Sequence, residues 1–207
     1  GYESAMRAFE ESRAKLGVDI VDLYLIHWPA PSQDRYVDAW RALIELRDQG
    51  AVRAIGVSNF MREHLERIEL ESGQLPCINQ IESHPGYWQP DLEEYCVSKG
   101  IAIEAYSPLG HGGDMASAPA VHAAERLGVT PAQVVLRWHL QKGHVFIPKS
   151  THVDRMRANL DVLGFELGVD DIAALDGLDA DENRCGNDPY TFDRPQTLED
   201  MLSRGNL

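Results

Sequence analysis

The stretch VDLYLIHW, residues 21–28, is an almost unbroken run of aliphatic and aromatic residues that halts at an imidazole and an indole, with Pro29 directly behind. Four shorter apolar runs follow: VRAIGVS (52–58), INQIE (78–82), IAIEAYS (101–107) and HVFIPKS (144–150). Near-continuous runs of this kind are what parallel strands buried on both faces show. Between them the pattern turns helical. Val37, Trp40, Leu43 and Ile44 make one apolar stripe. Thr130, Pro131 and Gln133 open a second helix as a capping box. Gly17, Gly50, Gly100, Gly128 and Gly143 each stand where a helix should end in a left-handed residue. Helix and strand alternate throughout, so the class is α/β.

Spacing selects the architecture. The strand ends recur at about 24 to 42 residues, close to the roughly 30 residues of one unit of a (β/α)8 barrel. A doubly wound sheet would place a glycine-rich phosphate loop after an early strand. The only clustered glycines, in LGHGGD (109–114), come after the fourth run and lack that spacing. The expectation is therefore a (β/α)8 TIM barrel, here incomplete: five of eight units, with three strands, about 75–90 residues, lacking ahead of Gly1. The whole of 1–207 reads as one domain. Its polar end, 179–207, is expected as a loop and tail over one barrel face.

Composition narrows the partners. With 33 acidic against 19 basic residues and a net charge of −14, neither nucleic acid nor an anionic membrane suits the chain. No apolar run reaches the length of a membrane span. Cys77, Cys96 and Cys185 are scattered and odd in number, which points to reduced thiols in a cytoplasmic setting.

In a barrel the chemistry collects at the strand C-terminal ends. Those ends are His27-Trp28, Ser58-Asn59, Glu82 with His84, Tyr106-Ser107 and Lys149-Ser150. His27 shares a strand face with Leu23 and Leu25; it can orient a carbonyl or relay a proton, or be a satisfied core histidine. Trp28 can be packing alone. Ser58 and Asn59 are good N-caps for the next helix, or amide-holding groups. Gln80 needs a partner for its amide, from a ligand or a neighbouring strand. Tyr106 is a core aromatic or a platform for a flat ring. After the last strand, Thr151 and Asp154 read as a capping box. Lys149, Ser150, Arg155 and the helix amides then converge as a phosphate site, or as an ordinary solvated helix start.

These motifs, in order, resemble the aldo-keto reductases: GYESAMRAFEESRAKLGVDIVDLYLIHWP, then AIGVSNF, NQIESHP, AYSPLG, and IPKS followed by Arg155 and Asn159. The similarity runs from Gly1 to about Asp179. The tail DENRCGNDPYTF is most similar to the bacterial branch that includes 2,5-diketo-D-gluconate reductases. The resemblance implies metal-free, NADPH-dependent reduction of a small-molecule carbonyl. It makes His27 the histidine of a catalytic tetrad and Trp28 a substrate-pocket wall. Ser58, Asn59 and Gln80 would hold the nicotinamide carboxamide, and Tyr106 would stack on that ring. Ser107 and Leu109 would follow the pyrophosphate. Lys149, Ser150 and Arg155 would meet the 2′-phosphate, and Asn159 the adenine. Ala158 stands where many members carry glutamate, and His152 where threonine or arginine is common, which loosens the preference for NADPH over NADH.

The other tetrad members, an aspartate, a tyrosine and a lysine, lie in the family ahead of the segment that begins at Gly1. The expectation is a reductase as parent, monomeric, with these 207 residues inactive alone and prone to self-associate at open strand edges. Two rivals stand beside it. One is a non-catalytic nucleotide-binding or assembly module; the other is a lyase using Lys149 as a Schiff-base amine.

Overall fold

The computed structural model describes residues 1–193. Five parallel strands lie side by side in chain order: β1 Val21–Ile26, β2 Val52–Ser58, β3 Ile78–Glu82, β4 Ala102–Tyr106 and β5 Val145–Phe146. Eight helices accompany them among the described residues: α1 Tyr2–Leu16, α2 Tyr36–Asp48, α3 Arg62–Ser72, α4 Pro90–Ser98, α5 Ala118–Leu127, α6 Pro131–Lys142, α7 Val153–Leu160 and α8 Val169–Asp176. Chain-order pairing excludes the doubly wound sheet, in which the order reverses at a switch point.

Alternate strand residues serve two faces. The outward set, including Ile55, Val57, Ile81 and Ile103, packs against Phe9, Trp40, Leu43, Leu65, Ile68 and Leu92 of α1 to α4. A second apolar cluster joins α5, α6 and α8 through Ala120, Val134, Trp138 and Leu175. Tyr24 belongs to the outward set, its ring edge-on to Phe9 at 5.3 Å, so it faces away from His27. The inward set is tight at its centre. A Cβ on Gly56 would lie 2.6 Å from both Leu25 Cδ2 and Ile78 Cγ2, so only glycine lets these strands approach. Toward β1 the inward face opens, leaving Leu23 37% exposed.

The capping box of Thr130 forms: Gln133 N donates to Thr130 Oγ1 and Thr130 N donates to Gln133 Oε1 (3.0 Å). Three local expectations need correcting. Strand β5 is two residues long, not seven. Chain pairing stops before Pro148, which has no N–H to give a ladder. Helix α7 starts at Val153 with His152, not Thr151, at its N-cap. Asp154 then sits one position too early for a box, and Ser150 Oγ instead accepts from His152 N at 3.1 Å. Ser58 and Asn59 do not cap α3, whose N-cap is Met61. They turn toward the strand ends instead.

Candidate active site

The loop after β2 is fixed by its own polar groups. Ser58 Oγ donates to the Gln80 carbonyl (2.9 Å), which also accepts from Asn59 N (2.8 Å). Asn59 Nδ2 donates to the His27 carbonyl and to Ser58 Oγ, both at 3.0 Å. Asn59 holds φ at +61°, a left-handed conformation that asparagine tolerates better than most residues. Three successive strand ends are thereby bound together. The Gln80 amide has its partner on the neighbouring strand: Nε2 donates to Glu104, opposite it in the register.

Above this layer lies a cavity of about 320 Å³ bounded by His27, Trp28, Asn59, Gln80, Tyr106 and Ser107, with Cys185, Gly186 and Asn187 on its far side. His27 keeps part of its ring exposed, while the partial burial of the rest lowers its pKa. Tyr106 is pushed the other way. Burial, then the nearby Glu82 carboxylate, hold its phenol well above the usual tyrosine value.

A second groove, about 700 Å³, runs from Ser107 and Leu109 to Lys149, Ser150, His152, Arg155 and Asn159. Ser107 and His111 line both cavities, and Ser107 Oγ stands 3.3 Å from His111 Nε2. Of the twelve site residues read from sequence, eleven therefore line these two adjoining cavities. Ser58, 1% exposed, lies beneath them and acts through Asn59.

The sequence placed the polar end over this face but singled out none of its residues. Residues 183–193 cross the strand ends: Cys185 N and Gly186 N donate to the Glu82 carboxylate, Tyr190 Oη donates to Glu63, and Phe192 lies 4.4 Å from Trp28. The remainder of the expected tail, 194–207, falls outside the described residues. Behind Tyr106 sits a buried charged group, Glu82, His84 and Asp114, with His84 Nδ1 at 2.7 Å from Asp114 Oδ2. Glu82 and His84 stood out as strand-end residues, but Asp114 carried no sequence signal.

A chain-order parallel sheet with helices on one face and polar strand ends around a depression is the arrangement of barrel enzymes. The comparisons agree. The family model described as the aldo/keto reductase family matches residues 1–180. An aldo-keto reductase of Mycolicibacterium smegmatis is 47% identical over 192 residues, 93% of this chain and 70% of that protein. A glyoxal reductase of Bacillus subtilis is 45% identical over 189 residues, 91% of this chain and 67% of that protein. A crystal structure of a Gox0644 mutant in complex with NADPH superposes with a TM-score of 0.90 at 48% identity, covering 93% of this chain and 71% of that one. The chain belongs to the aldo/keto reductase family. Its five-stranded α/β sheet matches the corresponding part of those barrels.

Proposed function

We propose that the chain binds NADPH along the two adjoining cavities and serves the reduction of small aldehydes and ketones to alcohols. The observation that carries this reading is the sharing of Ser107 and His111 between the two cavities, which sets the basic groove directly beside the His27 rim. The residues fit such a ligand. Among the described residues neither Lys149 nor Arg155 forms an ion pair, although acidic residues outnumber basic ones, so both cations are available to a phosphate. The NADPH complex of the similar Gox0644 structure supports the same assignment.

When bound, NADPH supplies the hydride. The protein's own groups position the partners. Asn59 and Gln80 present amides at the inner end, with Ser58 fixing Asn59, and Tyr106 offers a ring face there. Ser107 and Leu109 line the passage, and Ser150 and Asn159 complete the outer end. His27, its pKa lowered, stays neutral at neutral pH and donates an N–H to a substrate carbonyl lying against Trp28. The Tyr106 phenol is held protonated by its burial and by the nearby Glu82 carboxylate, which makes it a poor acid.

On the family resemblance we assign the proton donor to a tetrad tyrosine that is not among the site residues of these 207, with the tetrad aspartate and lysine, and read the five strands as five of a barrel's eight. That the chain covers 67–71% of the relatives above supports this reading. Relatives named glyoxal reductase and, in Yersinia pestis, methylglyoxal reductase DkgA favour small dicarbonyl substrates and the bacterial branch. The described cysteines are free thiols, in keeping with a reducing cytoplasmic compartment.

Tryptophan fluorescence of the 207-residue chain, titrated with NADPH, should saturate; a flat titration would remove the nucleotide reading. NADPH consumption with methylglyoxal should appear only where the tetrad tyrosine, aspartate and lysine are present with these residues. Turnover by the 207 residues alone would overturn the placement of the proton donor.

A further inference from the structure

The buried group behind Tyr106 has a composition that hydride chemistry does not use. Glu82 and His84 are 3% and 1% exposed, and the exposed Cys185 is brought to them from more than one hundred residues away. His84 Nε2 stands 3.4 Å from Glu82 Oε1 and 3.9 Å from Cys185 Sγ, and the three ligand atoms all lie within 4.8 Å of one another. A tetrahedral zinc with Zn–N and Zn–O of about 2.1 Å and Zn–S of about 2.3 Å separates its nitrogen from oxygen by roughly 3.4 Å and from sulfur by roughly 3.6 Å. The first separation is already met. The second needs a few tenths of an ångström from an exposed side chain, and the same movement must bring the sulfur to roughly 3.6 Å from the carboxylate oxygen, which now lies within 4.8 Å of it.

The surroundings are built in the same sense. Asp114 Oδ2 lies 2.7 Å from His84 Nδ1, at ion-pair distance although neither atom makes an aligned hydrogen bond; a small rotation of either group gives the carboxylate–histidine pairing that orients a ligating imidazole. Space for this pair is cleared by two glycines. A Cβ on Gly110 would lie 2.6 Å from Asp114 Oδ2 and 2.9 Å from His84 Nδ1, and one on Gly86 would lie 2.7 Å from Asp114 Oδ1. Cys185 is delivered by its own backbone, since Cys185 N and Gly186 N donate to Glu82 at 2.5 and 2.8 Å. A thiolate, an imidazole and a carboxylate select a zinc-class ion over calcium or magnesium, and three protein ligands leave one coordination position open.

We propose that Glu82, His84 and Cys185 form a three-ligand site for a zinc-class divalent cation, oriented by Asp114, that pins residues 183–187 against the end of β3. The ion plays no part in carbonyl reduction. Because Cys185, Gly186 and Asn187 also wall the cavity at His27 and Trp28, occupancy fixes that wall and restricts entry to the cavity.

The test uses the full 207-residue chain, freed of metal by a chelator and titrated with Co²⁺ as a spectroscopic stand-in for Zn²⁺. A sulfur-to-cobalt charge-transfer band is expected at one equivalent and should be displaced by Zn²⁺. Cys185→Ser should abolish the band, whereas Cys77→Ser, altering the other exposed thiol, should leave it intact. Asp114→Asn should keep the band but weaken cobalt binding roughly 10–100-fold, as loss of an orienting partner does. Zn²⁺ should also slow proteolytic cleavage within 183–193 in the wild type and not in Cys185→Ser. Absence of the band from the wild type, its survival in Cys185→Ser, or its loss in Cys77→Ser would each overturn the site.

Discussion

The carboxamide of Asn59 donates a 3.0 Å hydrogen bond to the main-chain carbonyl of His27, so the end of β1 is held by a residue of the loop after β2. The geometry of the rim at His27 therefore depends on an amide nitrogen, not on the shape of the side chain alone.

Asn59→Asp keeps that shape and the tolerance for positive φ but turns an oxygen toward the His27 carbonyl. Losing the donor in this buried position should cost about 1–3 kcal/mol. Urea denaturation of the two proteins side by side measures it, with an unchanged midpoint ruling the bond unimportant.

Arg155→Ala should weaken NADPH roughly ten-fold or more, the loss expected for one charge-assisted hydrogen bond to a phosphate. NADH has no 2′-phosphate, so its binding should not move. Paired fluorescence titrations with both nucleotides decide this, and an equal loss for both would place Arg155 away from the 2′-phosphate.

His139 is fully buried, with Nε2 3.0 Å from the Pro108 carbonyl and Nδ1 3.2 Å from His144 Nδ1. His144 in turn faces Glu93 at 3.1 Å. Burial first, then repulsion from His144, hold the His139 pKa down at about 3, against 6.5 for an ordinary histidine. The unfolded chain takes up this proton and the folded one does not, so stability present above pH 6.5 is lost as pH falls toward 3. One proton corresponds to about 1.4 kcal/mol per pH unit over that window. His139→Asn should flatten the slope between pH 6.5 and 5 by close to one proton in denaturation midpoints followed across pH; an unaltered slope would acquit His139.

Gly186→Ala places a Cβ 2.7 Å from Glu82 Oε2 and 2.9 Å from Tyr106 Oη. The backbone of the covering segment has to lift, so cleavage within 183–193 should rise several-fold while the sheet keeps its stability. Limited proteolysis read by mass spectrometry, beside a thermal melt, separates the two effects.

Much of this was legible in the residues. The runs at 52–58 and 78–82 became β2 and β3 without change because apolar, β-branched residues bounded by turn formers leave few alternatives. The run at 144–150 over-reached because apolarity does not report ladder hydrogen bonds, and Pro148 limits those. At Thr151 the capping pattern was present but the competing Ser150–His152 turn won. Glu104 inside IAIEAYS gave no hint that it would satisfy Gln80, since register decides that pair. Least visible were the contacts of Cys185 and Phe192. They join segments more than one hundred residues apart, and no local pattern encodes them.

Because the strands pair in chain order, each has its partner within one unit of sequence and closes only a short loop. The contact between Ser32 and Asp193 spans 161 residues. During synthesis the groove beside Lys149 and Arg155 can therefore take shape as soon as α7 emerges, whereas the wall over His27 waits for residues 183–193. The enclosure of the His27 cavity is acquired late, after the sheet that carries it.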